Sequence, residues 1–279
     1  MILIADSGST ATTWGLLRGN EVEICLTSGI NPFFLTSKEI TQLLENEFTM
    51  NRQVAFIYFY GAGCSPEKQS VVTEALDNYF ETNFIEVKSD LWAAARSLCR
   101  EEEGIACILG TGSNSCYYNG NNIVKNVPPL GYILGDEGSG ATLGKKLIAG
   151  ILKSQLPEPV IRDFQDTYSW SMAEILDCVY RRPFPNRFLA QFAPFLRKHV
   201  KNGAVKQLVI DSFTEFIAKN ILQYEKVREL PIHVTGSVAF YFKSELKAAF
   251  DIFQLHLGIV SEEPIQGLIE YHKNRVNHD

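Results

Sequence analysis

Three glycine turns in this sequence each follow a short apolar run. The turns read DSGST at 6–10, GTGSN at 110–114 and TGS at 235–237. Short apolar runs that stop at a turn are typical of buried strands. A single turn of this kind is most often only structural. Glycine, however, lets the backbone approach a ligand closely, and the amides of such turns can bind an anion. The recurrence of one arrangement therefore indicates a strand-based scaffold with several phosphate-binding loops.

Apolar periodicity predicts strands that alternate with helices. Strands are expected at 2–5, 12–18, 21–28, 54–60, 84–87, 105–109, 115–119, 122–125, 232–235 and 253–257. Helices are expected at 37–48, 66–80, 90–100, 137–154, 159–164, 171–180, 187–199, 204–225, 239–250 and 264–274. The alternation indicates parallel sheet, and the hairpins indicate an antiparallel edge.

The same order of elements begins twice, as strand, glycine turn and hairpin. This predicts an α/β protein of two lobes, 1–109 and 110–279, the second with a helical insertion. The boundary falls near Gly110, which could act as one hinge point. The final predicted helix could pack back on the first lobe, which the sequence leaves open.

Two common nucleotide-binding motifs are missing from the sequence. There is no G-x-x-x-x-G-K-[ST] motif, which excludes a Walker A loop. The first glycine turn joins two strands rather than a strand and a helix, and G-x-G-x-x-G does not occur, which excludes a Rossmann fingerprint.

Composition narrows the class of partner. The 279 residues carry a net charge of −6, which argues against a nucleic-acid-binding surface. No targeting signal and no apolar run long enough to span a bilayer is recognised, so the expectation is a cytoplasmic protein without a membrane partner. The six cysteines form no C-x-x-C pair, which is typical of reduced, buried thiols.

Three aspartates lie at predicted turns or helix starts. Asp6 ends the first strand, Asp90 follows a strand at the start of a helix, and Asp136 lies in LGDEGSG at 134–140. Carboxylates can hold Mg²⁺ or accept a proton, the two tasks that phosphoryl transfer requires. A purely structural alternative is helix capping for Asp90 and a turn or helix start for Asp136. Asp6, directly before a glycine turn, is least easily explained by structure.

These motifs together resemble the sugar kinase, actin and heat-shock ATPase superfamily. More narrowly, the chain is similar to the N-acetylglucosamine kinase and BadF/BadG ATPase family. The matching motifs are DSGST at 6–10, SGIN at 28–31, SD at 89–90, GTGSN at 110–114, LGDEGSGATLG at 134–144 and TGSVA at 235–239. They occur in the family's order over nearly the whole chain, and GTGSN followed by GDEGS is the most specific pair.

The resemblance implies two RNase H-like lobes with mixed five-stranded sheets and a central nucleotide cleft. It also implies ATP and Mg²⁺ as cofactors. Asp6 is the implied metal ligand and Asp90 the implied general base. The implied nucleotide-binding residues are Gly8, Ser9, Thr10, Thr111, Gly112, Ser113, Gly236 and Ser237. The implied amino-sugar ligands are Asn31, Asn114 and Asp136.

The first loop departs from the family's pattern. Family members often read DGGGTKT there, whereas this chain has Ser7 in place of a glycine and Ala11 in place of the lysine. Loss of a cation beside the triphosphate is expected to weaken ATP binding or slow the transfer, unless Mg²⁺ or another cation compensates.

The leading functional expectation is an ATP-dependent kinase acting on a small amino sugar such as N-acetylglucosamine or glucosamine. One alternative is an energy-coupling ATPase that acts on a partner protein through an iron–sulfur cluster at a dimer interface. Another is a catalytically weak regulator that binds a sugar or a nucleotide. A homodimer is a further expectation for the kinase.

Overall fold

The computed structural model describes residues 1–8 and 10–276 of the chain. The strands in chain order are β1 (Ile2–Ser7), β2 (Ala11–Arg18), β3 (Glu21–Ser28), β4 (Phe56–Gly61), β5 (Phe84–Ser89), β6 (Glu103–Leu109), β7 (Ser113–Asn119), β8 (Ile123–Val127), β9 (Ile232–Thr235) and β10 (Leu257–Ser261). The helices are α1 (Ser37–Glu47), α2 (Gln69–Tyr79), α3 (Asp90–Cys99), α4 (Gly131–Leu134), α5 (Gly140–Leu152), α6 (Glu158–Thr167), α7 (Met172–Tyr180), α8 (Pro185–Ala190), α9 (Ala193–His199), α10 (Gly203–Lys219), α11 (Ser237–Tyr241), α12 (Lys243–Ile252) and α13 (Ile265–Val276).

The chain divides into two compact units. Unit 1 comprises Met1–Glu102 and Glu263–Asp279, and unit 2 comprises Glu103–Glu262. The expected boundary near Gly110 differs from this one, because β6 pairs with β7 and β9 and therefore belongs to unit 2. The final helix α13, whose lobe the sequence left open, packs on α3, β1 and β2 of unit 1.

Unit 1 is built on a mixed sheet of five strands in the order β3-β2-β1-β4-β5. The strands β1, β4 and β5 are parallel, and β2 and β3 form the antiparallel edge. Along β1, Leu3 and Ala5 belong to one apolar cluster, while Ile2 and Ile4 belong to the cluster that contains α13 residues. This alternation follows from the two-residue period of a strand, and it places both faces of β1 in the core.

A buried polar network attaches α13 to the sheet of unit 1. The Tyr60 hydroxyl lies 2.8 Å from Nε2 of His272, and Arg96 on α3 donates to the same hydroxyl at 2.6 Å. Arg96 also forms an ion pair with Glu86 on β5. Burial lowers the pKa of His272 to about 3, so its ring is neutral. The network connects α13 to the helix that begins with Asp90.

Unit 2 repeats the sheet topology of unit 1, with the strand order β10-β9-β6-β7-β8. The strands β6, β9 and β10 are parallel, and β7 and β8 form the antiparallel edge. The two mixed five-stranded sheets confirm the predicted fold class. Most of the remaining helices pack around one large apolar cluster of this unit.

Two predicted helices begin later than expected. The predicted start at 66 lies in a turn, where the Ser65 carbonyl accepts the N–H groups of Lys68 and Gln69, and α2 follows it. The predicted start at 137 lies in a loop, because Ser139 is the N-cap of α5 and its hydroxyl accepts the N–H of Thr142 at 3.2 Å. In both cases local turn chemistry delays the helix.

Three other predicted elements differ from the structure. The expected helix at 187–199 is divided into α8 and α9, and the one at 239–250 into α11 and α12. The expected strand at 253–257 is wrong: the chain turns there, with Gln254 at φ 55°, and the strand forms at Leu257–Ser261. The apolar residues at 253 and 255 are spaced like a strand, yet they pack at the end of α12.

None of the helices formed by residues 1–8 and 10–276 combines the length and the apolar character that a membrane span requires.

Candidate functional site

Two carboxylates lie at the carboxyl edge of the parallel strands in unit 1. Asp6 is near the end of β1, and Asp90 is the first residue of α3, directly after β5. Ligands of open α/β sheets bind at this edge. Burial raises the pKa of Asp6 to about 7, with smaller contributions from the negative charges of Asp90 and Glu263. The three acidic side chains are therefore close enough to influence one another.

Asp90 is not the N-cap of its helix, because Ser89 occupies that position and Asp90 is the first helical residue. One oxygen of its carboxylate accepts the N–H of Leu91 at 2.9 Å. Burial raises the pKa of Asp90, and the backbone hydrogen bonds partly oppose this effect. A half-buried carboxylate with a raised pKa beside a second one is a feature of functional sites.

The first glycine loop is held by hydrogen bonds to the segment after β3. Ser7 is fully buried; its hydroxyl accepts the N–H of Ile30 at 2.9 Å and lies 2.7 Å from the Thr12 hydroxyl. Within the loop, Gly8 donates to the Ala11 carbonyl at 3.0 Å, and Gly8 itself is exposed. Ser7, where the family often has glycine, thus replaces conformational freedom with a specific side-chain contact.

Two further members of this loop were predicted to bind the nucleotide. Thr10 is exposed, and its carbonyl accepts the N–H of Gly29 at 3.0 Å. Ser9 lies outside the described residues. Ala11, at the position where the family often has lysine, is exposed at the start of β2.

Asn31 lies against the loop that follows β4. Its side-chain oxygen accepts the N–H of Phe33 at 3.0 Å, which is an Asx turn. Gly63 has φ +79°, and a Cβ added there would be 2.3 Å from the same oxygen, so only glycine fits. Burial and the charge of Asp90 raise the pKa of the neighbouring Cys64 thiol to about 12. The contacts therefore connect Asn31, through this loop, to the surroundings of Asp90.

In unit 2, Asp136 is held against the second glycine loop. The Ser113 N–H donates to its carboxylate at 3.2 Å, and a Cβ on Gly112 would lie 3.2 Å from the other carboxylate oxygen. Asp136 has φ 53° and is 8% exposed, and its carbonyl accepts the hydroxyl of Thr142 at 2.7 Å. Burial raises the pKa of Asp136, and the bond from Ser113 partly opposes this. Because a left-handed aspartate is uncommon, this geometry identifies a specialised turn.

The second loop also covers the start of α5. The Gly140 N–H donates to the Gly110 carbonyl at 2.8 Å, and the Ala141 N–H donates to the Thr111 carbonyl at 3.1 Å. These first-turn amides would otherwise lack partners inside the helix. Both N–H groups have partners in the loop. In this region the loop, and not the start of the helix, is therefore left to contact a ligand.

The third glycine turn packs tightly against the end of β6. Gly236 has φ +120°, and a Cβ there would be 2.4 Å from the Leu109 carbonyl oxygen. Its N–H donates to the Ser261 carbonyl at 3.0 Å. The glycine is thus required by close backbone packing, and it places Ser237 at the start of α11.

A cavity of about 520 Å³ in unit 2 brings the second and third loops together. Gly110 and Thr111 line it from one loop and Ser237 from the other. Another part of the lining, which includes Gln191 and Arg197 from the α8–α9 region, is not predicted from the sequence. No motif marks these positions, because they belong to irregular helices whose place depends on the packing of unit 2.

Asn114 has a different environment from the other predicted sugar ligands. Its side-chain oxygen accepts the N–H of Ser115 at 2.9 Å and the side-chain amide of Asn126 at 2.8 Å. Both partners belong to the β7–β8 hairpin. Asn114 therefore stabilises this hairpin, and it is not among the described residues that line the cavity.

Comparisons with known proteins agree with the fold and the loops. A crystal structure of a candidate N-acetylglucosamine kinase from Porphyromonas gingivalis is 47% identical in sequence, covers 100% of both chains and has a TM-score of 0.94. A candidate N-acetylglucosamine kinase from Chromobacterium violaceum is 17% identical, with 97% and 98% of the two chains covered and a TM-score of 0.75. MreB 5 of Spiroplasma citri, solved with AMPPNP, is 10% identical, with 99% and 97% covered and a TM-score of 0.55. No protein-family model and no curated protein matches the sequence.

The two sheets and these structural likenesses define a protein of the actin-like ATPase fold. Identity of 47% over the full length goes further than the fold. The chain belongs to the N-acetylglucosamine kinase family, which confirms the family expected from the motifs.

Proposed function

We propose that this protein is an ATP-dependent kinase that transfers the γ-phosphoryl group to a hydroxyl of an amino sugar, N-acetylglucosamine or glucosamine. The observation that carries the proposal is the 47% identity, over the full length, to a candidate N-acetylglucosamine kinase. The paired carboxylates of unit 1 and the loop-lined cavity of unit 2 supply the chemical groups that such a reaction needs. The cytoplasm is the proposed location, since ATP is the proposed donor.

Asp90 is the proposed general base. In the reaction, the Asp90 carboxylate would accept the proton of the sugar hydroxyl as the hydroxyl oxygen attacks the γ-phosphorus and ADP departs. Burial raises the pKa of Asp90, so the carboxyl ionises at a higher pH than usual and is a stronger base once ionised. Its position in the first turn of α3 fixes the carboxylate at the edge of the sheet.

Asp6 is the proposed ligand of Mg²⁺. The negative charges of Asp90 and Glu263 act on a largely buried carboxylate whose pKa is about 7, and a cation would relieve this repulsion. Within the described residues, no group of three or more acidic, histidine or cysteine side chains could hold a metal by itself. We therefore propose that Asp6 holds the ion through water, with the nucleotide phosphates as its main ligands. When bound, Mg²⁺ would neutralise the charge of the transferring phosphoryl group.

Each unit carries its own proposed nucleotide-binding residues. In unit 1, Gly8, Ser9 and Thr10 are the proposed contacts of the terminal phosphates. In unit 2, Thr111 and Gly112 are the proposed phosphate loop. Ser113 already donates its backbone N–H to Asp136, so its proposed contribution is to hold that carboxylate.

The cavity of unit 2 is the proposed site of the nucleoside part. Gly236 and Ser237 are the proposed residues near the ribose and the α-phosphate. The volume of about 520 Å³ is in the range of small-molecule sites. Gly236 packs the third loop against β6. This packing holds Ser237, the next residue, in the wall of the cavity.

Asn31, Asn114 and Asp136 are the proposed amino-sugar ligands. Asn31 has the clearest support, because its side chain lies against Gly63, next to Cys64, and the thiol of Cys64 responds to the charge of Asp90. A sugar held by Asn31 would thus lie near the proposed base.

The six cysteines give no support to the energy-coupling alternative. All six are buried, whereas a cluster shared at a dimer interface needs thiols at the surface. The weak-regulator alternative is tested by the same experiment as the kinase.

The test is a coupled ADP-release assay with glucosamine, N-acetylglucosamine, N-acetylmuramic acid and glucose, in which the phosphorylated product is identified by mass spectrometry. We expect turnover with one or both of the first two sugars and little with glucose. Tight binding of a sugar without any phosphorylated product would favour the regulator, and ATP hydrolysis independent of sugar would contradict the kinase.

A further inference from the structure

The cavity of unit 2 has one end at the glycine loops. Ala190, at the end of α8, lies there, because a Cβ added to Gly140 would be 3.1 Å from the Ala190 Cβ and 3.3 Å from the Gly110 carbonyl oxygen. Gly236 packs on the Leu109 carbonyl, which brings the start of α11 to the same place. Helices α9 and α11 therefore both begin near the glycine loops.

Each of these two helices lines the cavity with one face. Ala193 and Arg197 of α9 are four residues apart, as are Ser237 and Tyr241 of α11, and all four border the cavity. Residues spaced by four lie on the same helix face, about 6 Å apart along the axis. Arg197 and Tyr241 therefore lie one helical turn farther from the glycine loops than Ala193 and Ser237 do.

Arg197 brings a positive charge to this far end. Among the described residues that border the cavity, no acidic side chain accompanies it. Its guanidinium is exposed and forms no ion pair or hydrogen bond with residues 1–8 or 10–276. The next residue differs, because Lys198 donates to Asp163 on α6 at 2.8 Å. A guanidinium is planar and can lie flat on a ring as well as pair with an anion.

Tyr241 brings an aromatic ring to the same end. The side chain is 50% exposed, and the ring of Phe240 packs edge-on against it with 5.4 Å between the centroids. Val238 and Phe242, which are 5% and 1% exposed, border the cavity beside it. The far end thus combines a planar cation, an aromatic ring and an apolar floor, which together suit a flat heteroaromatic ligand.

We propose that Arg197 and Tyr241 hold the base of a purine nucleotide by stacking, and we call this pair the base clamp. This placement rests on the proposed function, which puts a phosphate loop at Thr111 and the ribose near Ser237. A base attached to that ribose reaches the far end of the cavity. Stacking uses the flat faces of the base, which adenine and guanine share.

The edge of the base meets few side chains that could distinguish the two purines. Adenine offers a donor where guanine offers an acceptor, so a group that only accepts or only donates would select one of them. Gln191 is the carboxamide of the described lining, and it carries both a donor and an acceptor that exchange places when the amide rotates. The base clamp therefore accepts GTP as well as ATP as the phosphoryl donor.

The experiment measures nucleotide dissociation constants by calorimetry, first with the unmodified protein. ADP and GDP are expected to bind within about tenfold of each other, since stacking contributes more than edge recognition. Adenosine and AMP are measured as well, because they share the base of ADP and lack some or all of its phosphates.

Substitutions then remove each half of the base clamp. Arg197→Ala and Tyr241→Ala are each expected to weaken ADP binding by about five- to thirtyfold. Tyr241→Phe keeps the ring and should remain within about twofold. The loss in Arg197→Ala should be equal for ADP, AMP and adenosine, because a cation stacked on the base does not contact phosphate.

Two variants outside the cavity serve as controls. Lys198→Ala removes one positive charge from the same helix, at the side chain that pairs with Asp163. Tyr180→Ala removes an aromatic ring that is 78% exposed on α7. Both should leave nucleotide binding unchanged, and circular dichroism melting curves verify that every variant is folded.

GDP binding more than about tenfold weaker than ADP binding would overturn the proposed tolerance of the site. A loss in Arg197→Ala for ADP but not for adenosine would place Arg197 on the phosphates and overturn the base clamp. Unchanged binding in Arg197→Ala or Tyr241→Ala, or no nucleotide binding by the unmodified protein, would also overturn it. The readout is binding, so a protein that binds nucleotide through the base clamp but phosphorylates no sugar would contradict only the proposed kinase function.

Discussion

The two units of this protein have the same sheet topology but carry different chemistry. In unit 1, the carboxyl edge of the sheet carries Asp6 and Asp90, whose pKa values are raised. In unit 2, the corresponding sheet carries two glycine turns and a cavity of about 520 Å³. One topology therefore carries neighbouring carboxylates at the sheet edge of one unit, and glycine turns beside a cavity in the other. The difference lies in the residues that follow the parallel strands.

The glycine turns are also held in different ways. In unit 1, a buried side chain, Ser7, connects the first turn to Ile30. In unit 2, carbonyls of the second turn accept the first-turn amides of α5, and Gly236 of the third turn packs on the Leu109 carbonyl. Loops held by backbone contacts tolerate fewer substitutions at glycine, because a side chain would meet atoms that cannot move.

The largest expected effect is on catalysis in unit 1. Asp90→Asn keeps the shape of the side chain but removes the base, so we expect turnover to fall by about 10²- to 10⁴-fold. Nucleotide affinity, measured by calorimetry, should stay within about twofold, since Asp90 is not among the proposed nucleotide ligands. The control is Asp77→Asn on the exposed face of α2, which should leave turnover unchanged. Unchanged turnover in Asp90→Asn would contradict the assignment of the base.

The next largest expected effect is a loss of folding stability caused by a substitution in unit 2. Gly236→Ala combines a φ of +120° with a Cβ 2.4 Å from the Leu109 carbonyl oxygen. We expect the free energy of unfolding to fall by about 3 kcal/mol in urea titrations. The matched control is Gly203→Ala at the start of α10, where a Cβ meets no atom within 4 Å. That variant should change stability by less than about 1 kcal/mol, and equal losses in the two variants would contradict the packing role of Gly236.

The third expected effect is on the pH dependence of folding stability, through Asp6 of unit 1. Asp6 has a pKa of about 7 in the folded protein, against an ordinary value of 3.8. Between these values the folded protein binds a proton that the unfolded chain has lost, so the contribution of Asp6 to stability falls as pH rises. Asp6→Asn removes this loss. Without ligands, we expect the variant to gain about 2 to 4 kcal/mol relative to the unmodified protein as pH rises from 4 to 8. Urea titrations at several pH values measure this difference, and a constant difference would refute the assignment.

The smallest expected effect is on KM for ATP, and it comes from position 11, where this chain has alanine and the family often has lysine. Ala11→Lys restores the cation that the family often carries there, on an exposed residue at the start of β2. A solvent-exposed charge pair contributes less than about 1 kcal/mol, so we expect KM for ATP to fall by about two- to fivefold. The effect should shrink at high salt. Ala11→Gln, which has a similar length without charge, is the control, and an equal change in both variants would argue against an electrostatic cause.

Much of the scaffold could be predicted from local sequence. The strands at 21–28 and 232–235 have the predicted bounds, because alternation and flanking turns are local signals. Thr36 caps α1 with Glu39 in a capping box, a signal contained within four neighbouring residues. The helical part of unit 2 was less predictable, since the breaks between α8 and α9 and between α11 and α12 depend on packing.

For the candidate site, the sequence by itself determined which residue types are available. DSGST, GTGSN and the three aspartates were recognisable because turn chemistry and strand ends are encoded within a few neighbouring residues. The tertiary structure alone decided what these residues contact. Ser7 meets Ile30 across 23 positions of sequence, Ser113 meets Asp136 across 23, and Arg197 reaches the lining of a cavity that begins at Gly110. Such contacts depend on how distant elements pack, and burial at those places is also what raises the pKa values of Asp6 and Asp90.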